Sequence, residues 1–482
     1  MLKRRSLVLL LVVLMLAVPA MAAAASVVFK DDALKDAVIA TLAAEDESFA
    51  SVTDIAKKDM QLLKDLTAGL DDNGDQVPVA NLAGLEFATK LKTLDLSYDN
   101  KKLDLTPIRN LKLDFLNIHA DGKAFPASPD SAQMKILQEL QHRGTVVLHD
   151  GPIYRISGEN RYETAVRIFH NALYLPEVND NPGTITEVDA VVLARGDDFA
   201  DALAGAPFAA SKNAPILLTN SDRLHPATKK ALLDYLKDSD WEGTEGTGDF
   251  KVFVLGGESA ISKGVENELK RAVSRDTDIS CGIEIDRIGG ENRYETAVKI
   301  AEELGEGDEV IVASGEKFAD ALSAAPYGLP ILLTKQDGLP ECVEDYLELG
   351  SDLEVFVVGG PAAVSADVVE ELLDITGDVT RVWGADRYET AVKLAKNKKI
   401  AEGKDHSCFV IATGEKFADA LTGAAVASVA ETGILLVRNN TVPAVVDDYL
   451  WDLRDAVTEM ILLGGESAVS LKNAVTLHDL IK

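Results

Sequence analysis

Cysteine is scarce in this sequence. Among 482 residues there are three cysteines, and none of them belongs to a C-x-x-C pair. A disulfide framework needs more cysteines at closer spacing, so the sequence excludes one. We interpret the three thiols, at Cys281, Cys342 and Cys408, as small buried hydrophobic groups.

Catalytic signatures are missing as well. The chain has seven histidines, yet it contains no H-E-x-x-H, G-x-S-x-G or P-loop pattern. A metal-dependent or nucleophilic mechanism therefore has no visible carrier. We predict a protein without catalytic residues, metal ligands or a cofactor, and hence not an enzyme.

Basic residues are outnumbered. The 48 lysines and arginines face 79 aspartates and glutamates, which gives a net charge of -31. This balance argues against general binding of nucleic acid. A polyanionic partner would need local basic clusters or bridging cations.

No apolar run reaches the ~20 residues that a membrane span needs. The run at 7–18 follows a basic segment at 3–5 and precedes an A-x-A site at 20–22. A basic end, a short apolar core and a small-residue cleavage site predict an export signal over 1–25. Its removal takes away three basic groups and no acid, so the charge becomes -34. We expect a secreted mature chain without a membrane span.

Residues 26–130 carry a leucine pattern. An amphipathic stretch over 31–42 predicts a cap helix. The segment LKTLDL at 91–96 is echoed 22 positions later by LDFLNI at 113–118. That shift lies within the ~20–29 residues of leucine-rich repeats. The segment resembles the short leucine-rich repeat regions of bacterial surface proteins, and we expect a small domain for adhesion or for binding a protein partner.

Two polar stretches punctuate this half. The acids of DDNGD at 71–75 stand where a calcium loop would place its ligands, but Gln76 and Leu82 replace the glycine and glutamate that such a loop needs. We interpret the stretch as a polar turn. The segment at 121–131 predicts the start of a boundary, and residues 131–152, with one short helical pattern, are expected to form a linker.

Four blocks then recur three times in fixed order. They are R-x-x-G-x-x-R-Y-E-T-A-V at Arg155, Arg287 and Arg381, G-x-x-F-A-D-A-L at Gly196, Gly315 and Gly414, an ILL block at Ile216, Ile331 and Ile434, and a glycine pair at Gly256, Gly359 and Gly464. The repetition predicts units at 153–280, 281–378 and 379–482.

Each unit alternates strands with helices. Apolar runs such as VVLA lead through a glycine turn into helical patterns such as DDFADAL. Continuous apolar strands that alternate with helices indicate a parallel sheet covered on both faces. We therefore predict an α/β fold of three doubly wound modules after the leucine-rich domain. The glycine pairs fit tight strand-to-helix turns and are not the dinucleotide fingerprint G-x-G-x-x-G.

The triplicated RYETAV, FADAL, ILL and GG blocks resemble the cell-wall-binding type 2 repeats of Gram-positive surface proteins, over residues 153–482. The resemblance implies three Rossmann-like modules around a pseudo-threefold axis. It also implies non-covalent attachment to the cell wall through an anionic, teichoic-acid-like polymer. The remaining half of such proteins carries the individual function.

The arginine before each tyrosine needs an anion, because a cation at a helix start opposes the helix dipole. That anion is either a ligand phosphate or a buried carboxylate of an Arg–Asp bridge, and the sequence leaves both open. Each tyrosine packs either on a sugar ring or on the core. The candidate polymer-binding residues are Arg161, Tyr162, Asp201, Arg293, Tyr294, Asp320, Arg387, Tyr388 and Asp419.

Two other sets receive structural interpretations. The glutamate after each tyrosine is expected to serve the helix N-terminus, and the ILL positions to be buried central strands. In the third copy Gly433 and Val437 replace proline and threonine. Its strand ends are therefore expected to contribute less to a site.

The alternative to an anchor is a peptidoglycan hydrolase, of amidase or glycosidase type, with a paired carboxylate such as Glu163 and Asp201. Triplication favours the anchor. Catalysis needs one good site, whereas weak contacts along a repeating polymer gain avidity from every copy.

Overall fold

A computed structural model describes most of the chain after residue 25. The described residues are 26–68, 79–97, 103–119, 129, 131–143, 145–149, 153–174, 188, 190–238, 249–305, 307–350, 353–401, 403, 406–429 and 431–481. The predicted export signal, the polar turn at 71–75 and most of the boundary at 121–131 lie outside them. Within the described residues no helix is long and apolar enough to cross a membrane.

The N-terminal unit is built on four parallel strands that pair in chain order. The strands are β1 (Asp65–Ala68), β2 (Thr93–Ser97), β3 (Phe115–His119) and β4 (Val146–His149). Two α-helices accompany them, α1 (Asp32–Glu45) and α2 (Ala132–His142). Short 3-10 helices connect the strands or lead into them, at Glu47–Ser51, Asp59–Leu62, Leu85–Phe87 and Thr106–Ile108.

The leucine pattern sets the register of this sheet. Leu94 of β2 lies opposite Leu116 of β3, which is the shift of 22 residues read from the sequence. Alternate residues of a strand point to one face, so the paired leucines enter a common core, where both are fully buried. The predicted cap helix is α1, which begins after the N-cap Asp31 and covers this core with its buried face. The assignment to leucine-rich repeats stays a prediction.

Residues 131–152 differ from the expected linker. They contain α2, which begins after the N-cap Ser131, and β4, the fourth strand of the N-terminal sheet. The buried Leu137 and Leu140 attach α2 to the leucine core. The apolar residues of this stretch therefore make it part of the N-terminal unit rather than a spacer.

Three further sheets follow, each with four parallel strands and the same order. The orders are β7-β6-β8-β9, β11-β10-β12-β13 and β15-β14-β16-β5. Their strands are β5 (Ile153–Ile156), β6 (Ala190–Arg195), β7 (Ile216–Thr219), β8 (Asp249–Leu255), β9 (Gly282–Ile288), β10 (Glu309–Ser314), β11 (Ile331–Thr334), β12 (Glu354–Val358), β13 (Asp378–Val382), β14 (Cys408–Thr413), β15 (Ile434–Val437) and β16 (Glu459–Leu463).

Helices alternate with these strands and confirm the predicted α/β class. They are α3 (Arg161–Tyr174), α4 (Ala200–Ser211), α5 (Pro226–Asp238), α6 (Lys263–Arg275), α7 (Arg293–Leu304), α8 (Phe318–Leu322), α9 (Glu341–Leu349), α10 (Ala366–Thr376), α11 (Arg387–Ala395), α12 (Ala418–Val429), α13 (Ala444–Asp452) and α14 (Leu471–Leu480). We call α3 to β9 module 1, α7 to β13 module 2, and α11 to α14 together with β5 module 3.

The modules do not coincide with the sequence repeats. The first arginine of each R-x-x-G block lies on the last strand of one module, and the RYETAV helix that follows opens the next. Strand β5, at the start of the first repeat, therefore completes the sheet of module 3 by pairing with β16, and Arg155 lies opposite Leu462. The two ends of the region 153–481 are joined in one sheet, which closes the ring of modules. The predicted repeat boundaries stay a prediction.

The modules share a core. One hydrophobic cluster contains residues of all three, including the nearly buried helices α4 and α12. These helices are rich in alanine and glycine, which lets neighbouring elements approach closely. The three cysteines are half-buried rather than buried as expected, because each lies at the margin of a cluster.

Candidate functional site

Each RYET segment caps its own helix. The side chain of Asn292 accepts hydrogen bonds from the backbone N–H groups of Tyr294 and Glu295, and Glu295 accepts one from the backbone of Glu291 at 2.9 Å. This reciprocal pattern is a variant of the capping box, in which the glutamate accepts from the residue before the N-cap rather than from the N-cap itself. Asn160 with Glu163 and Asp386 with Glu389 repeat it. The prediction that the glutamates serve the helix N-terminus is confirmed.

The glycine of each G-x-x-R-Y motif is required by the same turn. The Gly384 N–H donates to the Thr390 hydroxyl at 3.0 Å. A Cβ on Gly384 would lie 2.4 Å from the Cβ of Glu389, well inside contact distance. Gly158 and Gly290 have the same two contacts. Much of the first block is therefore explained by helix capping alone.

The arginine of each RYET segment binds a backbone oxygen and a neighbouring ring. Arg293 donates to the carbonyl of Gly315 in its own module, and its guanidinium lies 5.5 Å from the ring centre of Phe199 in module 1. Arg161 has the same contacts with Gly196 and Phe417, and Arg387 with Gly414 and Phe318. Each arginine thus joins two modules.

The three phenylalanines of the FADAL blocks meet at the centre of the ring. Their ring centres are 5.9 Å apart for Phe199 and Phe318, 6.1 Å for Phe199 and Phe417, and 5.6 Å for Phe318 and Phe417. These separations are typical of tilted aromatic pairs. With one arginine over each ring, the cluster marks the pseudo-threefold axis that the sequence resemblance implied.

The FADAL aspartates lie between modules. Thr164 of module 1 lies beside the carboxyl of Asp419 of module 3, and Thr390 of module 3 lies beside that of Asp320 of module 2. Burial raises the pKa of all three aspartates, and that of Asp201 to about 6, with the charge of Asp198 as a further cause. These carboxyls lie at the interfaces between modules.

The Arg–Asp bridge is realised in a different form. Arg293 pairs with Asp198, at 3.2 Å, and not with Asp201. In the described part of the chain no acid lies within 4 Å of the guanidinium groups of Arg161 and Arg387. Their partners are a glycine carbonyl and an aromatic face, so the helix-start cation is stabilised by dipoles and a ring rather than by a carboxylate.

The tyrosines pack at the carboxyl ends of the strands. A Cβ on Gly196 would lie 2.6 Å from the ring of Tyr162, so the glycine makes room for that ring. Tyr294 and Tyr388 occupy the same place over Gly315 and Gly414. Tyr388 is buried, whereas Tyr162 and Tyr294 are half-buried and keep part of each ring open to solvent.

Sequence reasoning missed the residues that cover these rings. The residue directly after each ILL strand contacts the tyrosine: Asn220 accepts a hydrogen bond from Tyr162 at 3.0 Å, Lys335 lies 6.0 Å over Tyr294, and Arg438 lies 4.7 Å over Tyr388. His225 also stacks on Tyr162 at 4.0 Å, in a pocket of about 490 Å³. The position was overlooked because its identity changes between copies, although its place after ILL is constant.

The remaining blocks build the fold. All ILL side chains are buried, as expected. Arg155, at the end of β5, is buried and donates to the carbonyls of Gly464 and Val469 at 2.6 and 2.8 Å, and burial lowers its pKa to about 10. At Gly433, in the third copy, a Cβ would lie 3.1 Å from the Tyr327 hydroxyl of module 2.

Glu163 and Asp201, the carboxylate pair of the hydrolase alternative, both make contacts within the fold. Glu163 accepts hydrogen bonds from the backbone of Glu159 and from Asn160, and Asp201 packs against the turn at Gly256. Among the described residues no group of three or more histidine, cysteine, aspartate or glutamate side chains is arranged to hold a metal ion.

Comparison with known proteins gives a family match. Residues 155–266, 287–369 and 381–473 match the cell wall binding domain 2 (CWB2) family, which accounts for more than half of the chain. The three matched segments contain the capping, FADAL, ILL and glycine-turn blocks described above.

Individual relatives agree with that match. The chain is 32% identical over 370 residues to an amidase enhancer of Bacillus subtilis, covering 73% of this chain and 45% of the relative. It is 28% identical over 331 residues to the N-acetylmuramoyl-L-alanine amidase LytC of the same organism, covering 68% and 58%. The chain thus spans about half the length of these relatives.

Two solved structures are similar in fold. Cwp8 from Clostridium difficile superimposes with a TM-score of 0.56 and 25% identity, over 72% of this chain and 54% of that one. Cwp6 from the same organism gives a TM-score of 0.55 and 25% identity, over 68% and 48%.

Proposed function

The chain belongs to the cell wall binding domain 2 family, and from that premise we propose that it is a non-catalytic cell-surface protein held on the wall by an anionic polymer. The attachment is non-covalent and uses all three modules. The polymer is of the teichoic-acid type, a chain of sugars or polyols joined by phosphates.

The observation that carries this proposal is the closed ring of three equivalent modules. Each places a tyrosine and a variable polar residue at the carboxyl ends of its strands, the edge where ligands of open α/β sheets bind. A polymer with repeating units can engage several such edges at once. Three weak contacts on one rigid body then give strong retention.

The candidate residues divide into two groups in this proposal. Tyr162 and Tyr294 offer partly open ring faces, next to His225 and Lys335. Tyr388 is buried and contributes through Arg438, which covers its ring. The half-buried Arg161, Arg293 and Arg387 shape the ring and border the site. The aspartates act indirectly, because they hold neighbouring modules together.

The N-terminal unit is proposed as the part that faces outward, binding a protein partner or a neighbouring surface. The absence of catalysis rests on the commitment of Glu163 and Asp201 to the fold. The match to the amidase covers 58% of that protein, so its activity is not carried over into this proposal.

Co-sedimentation with purified cell walls tests the proposal. The full chain should sediment with walls of a Gram-positive bacterium and stay in solution once the walls are stripped of anionic polymer. Hydrolysis is assayed in parallel by the release of reducing ends and free amines. Equal binding to intact and stripped walls, or release of either product, would contradict the proposal.

A further inference from the structure

The outer helices of module 1 differ in charge from those of the other modules. Helices α5 and α6 carry seven basic and four acidic residues. Their counterparts α9 and α10 carry eight acidic residues and no basic one, and α13 and α14 carry four acidic residues and one lysine. In a chain with a net charge of -31, this basic face stands apart.

One position shows the contrast at matched geometry. Helices α6, α10 and α14 each begin after an N-cap serine, at Ser262, Ser365 and Ser470. Nine residues after that serine, module 1 has Arg271, whereas module 2 has Asp374 and module 3 has Asp479. The equivalent position on the three equivalent helices is therefore positive in module 1 and negative in modules 2 and 3.

The basic residues line a groove. A hollow of about 590 Å³ between α5 and α6 is bordered by Lys229, Glu268, Arg271, Arg275 and Asp276. Lys229 pairs with Glu268 at 3.3 Å. Asp276 is neutralised by Lys237, which lies outside the groove and pairs with it at 2.7 Å.

Two arginines of the groove keep their charge available. In the described part of the chain no acid lies within 4 Å of the guanidinium groups of Arg271 and Arg275. Both side chains belong to exposed residues. The groove thus keeps an uncompensated positive charge, which suits an anion.

The groove continues to the site already described. Glu268 also borders the pocket of about 490 Å³ that holds Tyr162, Arg223 and His225. The Leu224 N–H donates to Glu268 at 3.1 Å, so this shared carboxylate is fixed by a backbone group and a lysine. Arg223, Lys229, Arg271 and Arg275 therefore line two adjoining hollows that share Glu268, one at the sheet edge and one along α6.

We propose that this groove binds an extended segment of a phosphate-containing polyanion and that module 1 alone among the three has such an outer subsite. The inference rests on the proposed function, since it extends the site of module 1. Acidic helices at the same place would repel the polymer in modules 2 and 3. The ligand would then follow one preferred direction, out of the ring over module 1.

Binding of a defined probe tests the groove. The probe is a fluorescent synthetic glycerol phosphate oligomer, titrated into the full chain at several salt concentrations. The variant R271E/R275E should bind about tenfold more weakly at low salt and show a shallower salt dependence, because fewer phosphate contacts release counterions. The matched control K263E/K270E makes the same charge change on exposed residues of the same helix that do not line the groove. It should bind nearly as the unmodified chain.

The other outcomes would contradict the proposed groove. Equal losses in both variants, or no loss in R271E/R275E while the unmodified chain binds, would overturn the groove and leave the proposed function intact. Failure of the unmodified chain to bind both the probe and cell walls would overturn both. A concentration-dependent sedimentation of the ligand-free chain that R271E/R275E abolishes would make a second copy the occupant and overturn the polyanion assignment.

Discussion

The clearest quantitative prediction concerns Asp201, which lies at the interface of modules 1 and 2. Burial, and secondly the charge of Asp198, raises its pKa from 3.8 to about 6. Because the folded-state pKa is the higher one, the folded protein binds the proton more tightly than the unfolded chain. The resulting stabilisation is fully present below pH 3.8 and is lost as the pH rises through about 6.

The magnitude follows from the shift. A pKa change of about two units corresponds to about 3 kcal/mol, since each unit is worth about 1.4 kcal/mol. The substitution Asp201→Asn removes the titration and keeps the neutral shape. Because the unfolded carboxyl is already partly ionised at pH 4, the free energy of unfolding of Asp201→Asn relative to the unmodified chain should be about 2 kcal/mol larger at pH 7 than at pH 4.

Urea unfolding at pH 4, 5, 6 and 7, followed by circular dichroism, measures this difference. Asp197→Asn is the control, because a hydrogen bond from Arg195 lowers the pKa of Asp197 and the pH trend should be smaller and of opposite sign. A stability difference between Asp201→Asn and the unmodified chain that does not change with pH would refute the argument. So would a loss of stability confined to pH 7, which would assign Asp201 to a useful ion pair with Arg293.

Three further predictions concern the ring. Replacing Arg161, Arg293 and Arg387 together with glutamine should lower the melting temperature measured by calorimetry. Each arginine loses a hydrogen bond to a glycine carbonyl and a contact with an aromatic ring, together worth ~1–3 kcal/mol per arginine. An unchanged melting temperature would show that the arginines do not stabilise the interfaces. Gly384→Ala should destabilise the chain by more than ~1 kcal/mol, whereas Gly465→Ala, where a Cβ meets nothing within 4 Å, should be neutral; equal effects in urea unfolding would contradict the capping argument. A chain that starts at residue 158 should unfold earlier than one that starts at 145, since the first lacks β5; coincident melting curves would show that ring closure contributes nothing.

Local patterns predicted most of the modules. The apolar runs became strands, and the glutamate three residues after each helix-capping residue became the capping partner, because these effects act over a few residues. The leucines at 94 and 116 even gave the register of the N-terminal sheet. Such features need only the chemistry of nearby residues.

Contacts between distant segments were harder to foresee. Pairing of β5 with β16 joins residues about 300 positions apart, and the repeats concealed it because every copy looks complete in sequence. The partners of the arginines were also missed, since a carbonyl and a neighbouring phenylalanine leave no charge pattern. Lys335 and Arg438 escaped notice because the copies differ there.

The central claim is that three module edges bind one polymer together. Wall-binding isotherms of the full chain test it, with Arg223→Gln, Lys335→Gln and Arg438→Gln introduced singly, in pairs and all together. These three residues are exposed, so the melting temperature should stay nearly unchanged. The account predicts a stepwise loss, in which the total fall in affinity grows with each added substitution because avidity is removed. A triple variant that binds intact walls as tightly as the unmodified chain would contradict it.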